Sequence, residues 1–114
     1  MSVRIQRYAG RILYEFDGHY LKEFAGSILY EYTGEYLKRF AGPILYQIRG
    51  DKVYAYPGGP VFTFDGKYFR RFAGSFLYEI RHNTVYEYAG PPLYTFSEPL
   101  ADDALMALLA VLTP

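Results

Sequence analysis

Apolar and aromatic side chains come in short runs along this chain, and a glycine closes almost every run: Gly10, Gly18, Gly26, Gly34, Gly42, Gly50, Gly58, Gly66, Gly74 and Gly90. The interval is eight residues, and only His82 interrupts it. Glycine after a strand-like run supplies the positive φ that reverses a chain between antiparallel strands. Cut at these points, residues 3–98 read as twelve octads, from VRIQRYAG to PPLYTFSE. Each octad holds a strand of about six residues and a turn. Connections this short forbid parallel pairing, whose crossovers need about a dozen residues or more. The pattern predicts an up-and-down antiparallel meander of twelve short strands.

Units such as ILYEF alternate with units such as YLKEF, so the true repeat is sixteen residues. With two-residue turns, residues facing each other sum to a constant odd number, which sets Tyr14 opposite Leu21 and Lys22 opposite Leu29. One face then gathers Ile12, Tyr14, Phe16, Leu21, Ile28, Tyr30, Tyr32, Leu37, Ile44 and, further on, Phe69, Phe76 and Tyr78; this is the expected core. The other face gathers Glu15, Lys22, Glu31, Lys38, Gln47, Thr63, Arg70 and Glu79, with Tyr20, Tyr36, Tyr68 and a row of Leu. A competing register closes each hairpin with three residues, Phe-Asp-Gly or Phe-Ala-Gly. It suits Ala and Thr before Gly better, yet it puts Lys22, Lys38 and Arg70 on the face of most Tyr, so the two-residue register is preferred. Two breaks stand out. Tyr56-Pro57-Gly58-Gly59-Pro60 is expected to lose regular pairing, as a kink, a wide loop or a boundary between halves, and Ile80-Arg81-His82-Asn83 reads as a turn with Asn in place of Gly.

The beat stops at Pro99. Residues 100–112, LADDALMALLAVL, lack both glycine and alternation, and Asp102 with Asp103 place carboxylates where the first turn of a helix favours them. From Ala104 to Leu112 this helix is apolar all round, so it needs burial on every side. Twelve strands tilted near 40° close at a radius of roughly 12 Å, close to the roughly 10 Å that separates a helix axis from a packed sheet. The expected architecture is all-β with one C-terminal helix: a single domain over 1–114, closed as a barrel around that helix. An open curved sheet with the helix across one face, or two sheets sandwiching a helix pair, are the alternatives.

The phrase Leu13-Tyr14-Glu15-Phe16-Asp17-Gly18-His19-Tyr20-Leu21, echoed from Val61 to Phe69, resembles the hairpin repeat of bacterial four-fold β-flower domains. A barrel of twelve antiparallel strands around a hydrophobic C-terminal helix is similar in architecture to the tubby-like group, which includes the LURP-one-related and phospholipid-scramblase-like proteins. That second resemblance implies a lipid-linked or regulatory binding role, and it carries no site residue across.

Charge narrows the partners. Twelve Lys and Arg balance twelve Asp and Glu, so nothing pulls the chain broadly toward nucleic acid, which is not an expected partner. There is no Cys, hence no disulfide or thiolate chemistry. No secretory signal and no membrane-spanning segment is read, and a cytoplasmic location is the default expectation. His19 and His82 sit alone at turns, Asp17 and Asp65 precede turn glycines, and Ser27, Ser75 and Ser97 have no nucleophile context. No catalytic, metal or cofactor site is therefore expected, and no enzyme. The constellation that remains is Tyr20, Lys22, Tyr36, Lys38, Tyr68 and Arg70, an outward row of tyrosines and cations. It fits a non-enzymatic binding module whose partner is a protein or a second copy; the alternative is a lipid- or glycan-binding domain using the same face. Glu15, Glu31 and Glu79 on that surface offer the plainer account, solvated cross-strand ion pairs.

Overall fold

A computed structural model describes residues 2–113; Met1 and Pro114, the ends of the expected 1–114 domain, lie outside the described residues. Among the described residues there are twelve strands and one helix. The strands are β1 (Val3–Arg7), β2 (Ile12–Phe16), β3 (Tyr20–Glu23), β4 (Ile28–Tyr32), β5 (Tyr36–Arg39), β6 (Ile44–Arg49), β7 (Lys52–Ala55), β8 (Pro60–Phe64), β9 (Tyr68–Arg71), β10 (Phe76–Arg81), β11 (Thr84–Glu87) and β12 (Pro92–Phe96). Each pairs antiparallel with its neighbours in sequence, and β1 pairs with β12, so the sheet closes into a barrel. Closure leaves no strand edge open to another chain.

The helix, α1 (Asp102–Leu112), fills the barrel. Six consecutive residues from Leu105 to Ala110 are buried, and at about 100° per residue they face every direction around the axis. The inward-facing residues of the strands complete the core with them, among them Ile5, Phe16, Leu21, Leu37, Val53, Phe69 and Val85. Extents of 36 × 34 × 22 Å make a short, wide drum. The open-sheet and helix-pair alternatives are excluded.

The two ends of the drum are built differently, and both hairpin registers read from the sequence occur, one at each end. At the first end the turns hold two residues. Phe16 pairs with Leu21 and Phe64 with Phe69, with Gly18-His19 and Gly66-Lys67 at the tips. Gly18 and Gly66 take φ of +97° and +98°, the conformation that glycine adopts without penalty. Asp17 Oδ1 accepts the backbone N–H of His19 at 2.9 Å and of Tyr20 at 2.7 Å; Asp65 does the same for Lys67 and Tyr68. Those N–H groups, Tyr20 and Tyr68 first, hold both carboxyls below the usual carboxylate range. At the second end the loops hold three residues. Arg7 N–H donates to Arg11 O, Gly10 N–H to Arg7 O, and the positive φ falls on Ala9 at +54° rather than on glycine. Gly10 and Gly74 are there for room: a Cβ on Gly74 would sit 3.2 Å from the Arg71 Cβ. The glycine beat therefore has two physical causes.

Several expectations are corrected by this asymmetry. Tyr14 faces Glu23 rather than Leu21, because the turn is centred one residue later than the Asp-Gly pair. Lys22 faces Ile28 rather than Leu29, because an extra residue enters after each three-residue loop and bulges the strand. The bulge moves Ile12, Ile28, Ile44 and Phe76 off the core face: their partners Gln6, Lys22, Lys38 and Arg70 share the outer face, and cross-strand partners lie on one face. The Tyr56–Pro60 stretch keeps regular pairing. Val53 faces Phe62, Tyr54 faces Pro60, and Ala55 N–H closes the loop on Gly59 O as in the others, with a cis Tyr56–Pro57 bond where they carry a positive-φ Ala. In the Ile80–Asn83 turn it is His82, at φ +54°, that stands in the glycine slot, not Asn83.

Candidate interaction surface

Each bulge performs a second task. The carbonyl of the extra residue accepts the amide of the first residue in the next three-residue loop: Phe24 to Leu13, Phe40 to Leu29, Tyr56 to Leu45, Phe72 to Val61, Tyr88 to Leu77 and Tyr8 to Leu93, all at 2.9–3.1 Å. That first residue is always Phe or Tyr, and all six are 44–50% exposed. Fixed by their amides, the rings lie back on the outer wall. Phe40 meets Tyr20 edge-on with centroids 5.9 Å apart, Tyr56 meets Tyr36 at 5.6 Å and Tyr88 meets Tyr68 at 5.9 Å. Where the partner position carries Arg4, its guanidinium lies 5.9 Å from the Phe24 ring. A collar of half-exposed rings thus encircles the barrel.

Tyr20, Lys22, Tyr36, Lys38, Tyr68 and Arg70 all stand on the outer wall, but they do not form one row. The first four lie on β3 and β5, with β4 between them; Tyr68 and Arg70 lie on β9, three strands beyond β6. Lys22 reaches Glu15 at 3.8 Å and Lys38 reaches Glu31 at 3.5 Å, the solvated ion pairs of the plainer account. Glu31 also holds His19, whose Nε2 is 2.8 Å from its carboxylate. Arg70 differs. It makes no ion pair among the described residues, and its guanidinium lies 5.8 Å from the Phe76 ring.

Around Arg70 the collar thickens into a cluster. Phe76 occupies a position held in the other repeats by Ile12, Ile28, Ile44, Pro60 and Pro92. Its ring joins those of Tyr68 at 5.1 Å and Tyr88 at 4.9 Å, while Tyr68 and Tyr88 are themselves 5.9 Å apart. Phe76 is 39% and Tyr88 47% exposed, so two of the three mutually packed rings stand well into solvent while Tyr68 is partly covered. Lys67 lies over Tyr68 at 5.3 Å, and Arg81 over Tyr86 at 4.6 Å. Arg81 bonds Glu79 at 2.9 Å and holds that carboxyl below its ordinary range. The result is an aromatic surface rimmed by cations whose heads are only partly neutralised.

Tyr68 and Arg70 are half of this cluster; Phe76 and Tyr88 are the half that a two-face reading of the strands passes over. Alternation puts Phe76 on the expected core face and leaves Tyr88 on neither face. The sixteen-residue spacing of Tyr8, Phe24, Phe40, Tyr56, Phe72 and Tyr88 was the available signal, since aromatics repeated before Ala-Gly or Pro-Gly cannot all point inward from a loop. No group of three or more His, Asp or Glu is placed to hold a metal among the described residues, and none of their helices is long and apolar enough to cross a membrane. Compared with family models, with curated proteins and with solved structures, the chain has no significant match in any of the three.

Proposed function

We infer that this protein is a non-enzymatic interaction module that engages a protein surface through the outer wall around Tyr68, Phe76 and Tyr88. The observation that carries this reading is the three-ring cluster with Phe76 and Tyr88 half in solvent, at the one repeat that places an aromatic where the others place Ile or Pro. Neither ring is needed to fill the core, which the helix and the inward strand residues complete. Exposed aromatic patches rimmed by polar groups mark contact sites, and Tyr and Arg are the side chains that carry most energy at such contacts. The helix-filled interior leaves the binding work to the outside.

A photo-crosslinking residue at position 76 tests the idea, with position 95 on β12 as the control. In the native host the first position is expected to give a discrete adduct, with a partner or a second copy, and Tyr88→Ser is expected to remove it. The same diffuse products from both positions would overturn the reading. Flotation of the protein with liposomes, lost in Phe76→Ser, would replace it with the lipid alternative.

A further inference from the structure

The outer face carries three columns of side chains in register, and the first and fourth repeats both flank the central position with cations but differ in the residue between them. In the first, Glu15 pairs across the strands with Arg4 on one side and Lys22 on the other, and both cations lie 3.8 Å from its carboxylate. In the fourth, the same three positions hold Lys52, Thr63 and Arg70. Two cations again flank the central residue, but the carboxylate is gone. What remains is the Thr63 hydroxyl, shielded from solvent and without a hydrogen-bond partner. Thr95, the other threonine at this position, is flanked by Thr84 and Gln6 and lacks the cations.

These residues line a groove of about 370 Å³, walled on one side by Phe72. Asp51 and Asp65 lie at its edge and oppose a simple anion trap. Asp65 is already engaged, its Oδ1 accepting the Lys67 and Tyr68 amides. Asp51 holds Lys52 at 3.1 Å through a side chain that is 65% exposed. Arg70 has no ion-pair partner within 4 Å among the described residues, although its charge reaches Asp65; its guanidinium and, beneath the flanking side chains, the Thr63 hydroxyl lack a hydrogen-bond partner, and Lys52 is shared with Asp51. Between the two cations no strand carboxylate stands where Glu15 stands in the first repeat, and a carboxylate, an acceptor-only group, fits that gap.

We propose that this groove binds a small carboxylic acid with a flat apolar body: its carboxylate takes the place that the Glu15 side chain fills in the first repeat, between Arg70, Lys52 and the Thr63 hydroxyl, and its body lies against Phe72. The site goes beyond the aromatic contact surface: it shares Arg70 with that cluster but uses none of its three rings. Titration of the labelled protein with benzoate, followed by amide chemical shifts, is the test, with benzamide as the neutral isostere. Benzoate gives saturable shifts at Lys52, Thr63 and Arg70, and benzamide gives none. Thr63→Glu supplies the carboxylate from the chain itself and weakens benzoate binding about tenfold or more, as does Arg70→Gln. Thr95→Glu leaves binding unchanged, and so does Tyr88→Ser, which separates this site from the contact surface. Absence of saturable shifts, equal binding of benzamide, or indifference to both Thr63→Glu and Arg70→Gln overturns the proposal. Unchanged shifts in the core of each variant certify its fold.

Discussion

The two ends of this barrel solve the same problem, reversing a chain between neighbouring strands, with different chemistry. At one end glycine itself takes the left-handed backbone, in turns of two residues capped by Asp17, Thr33 or Asp65. At the other, Ala9, Ala25, Ala41, Ala73 and Ala89 take it, and the glycine that follows serves only to let the loop pass close to the residue three positions back. The second solution uses a less suitable residue for the strained position, since an L-residue there costs roughly 1–2 kcal/mol. What it gains is the bulge, and the bulge carbonyl orients the aromatic residue that opens each loop. The plain end closes the fold; the strained end presents the collar.

The sharpest way to break this comparison is to put the same methyl group on glycines of the two ends. Gly66 has φ +98° and nothing within 4 Å of an added Cβ, so Gly66→Ala adds backbone strain and no clash. It is expected to destabilise by about 1–3 kcal/mol in chemical denaturation. Gly74 lies outside the positive-φ region, and its added Cβ meets the Arg71 Cβ at 3.2 Å. There the loss is small, because reduced freedom of the unfolded chain offsets much of the crowding; a change within about 0.5 kcal/mol is expected. Equal losses at both positions would mean that the ends do not differ in the way their backbone angles indicate.

A second test concerns how each end holds the helix. At the two-residue end the Tyr32 hydroxyl donates to Asp103 Oδ2 at 2.7 Å, and the Gly34 carbonyl oxygen lies 3.0 Å from that hydroxyl. At the other end Thr113 Oγ1 is 3.3 Å from the Tyr78 hydroxyl and closer, at 2.7 Å, to Leu109 O. Tyr32→Phe is therefore expected to cost about 1–2 kcal/mol and Tyr78→Phe less. Burial first, and then the hydrogen bond to Asp103, push the Tyr32 hydroxyl well above its ordinary range. A raised tyrosine value favours the protonated form in the native state. Its stabilising contribution is complete below the unfolded value of about 10 and fades as the pH climbs past it. Stability of the wild type should fall steeply there, and Tyr32→Phe should flatten that fall; an unchanged alkaline limb would show that the contact does not anchor the helix.

Legibility from the sequence followed the same division. The twelve strands, their antiparallel order, the closure and the helix inside were readable, because each rests on a period or on an apolar surface that must be covered. The outer placement of Tyr20, Lys22, Tyr36, Lys38, Tyr68 and Arg70 followed from alternation alone. Alternation fails at a bulge, and nothing in ILYEF announces that its first residue turns outward while Tyr14 and Phe16 turn in. For that reason alternation sends Phe76 inward, and the aromatic cluster is invisible to it. The position of the positive φ was equally hidden: Ala-Gly reads as a glycine turn, yet only the hydrogen bond from Gly10 N–H to Arg7 O decides that alanine occupies the left-handed site.

The smallest expected effect asks whether the exceptions at each end are tolerated or required. His82 stands at φ +54° in the slot that Gly18, Gly34, Gly50 and Gly66 fill elsewhere. Its backbone supports the turn in the usual way, with the adjoining Asn83 carbonyl accepting the Phe96 amide at 2.8 Å. Replacing it by glycine removes left-handed strain of roughly 1–2 kcal/mol and returns roughly 0.5–1 kcal/mol to the flexibility of the unfolded chain. His82→Gly should then stabilise by about 0.5 kcal/mol, a rise of a few degrees in thermal midpoint for a domain of this size. Ala73→Gly should do the same at the opposite end, for the same reason. A gain at position 82 with a loss at position 73 would be the more instructive result. It would mean that the alanine methyl helps to seat the Phe72 ring, and that the strain at the collar end is held for the sake of the surface it presents.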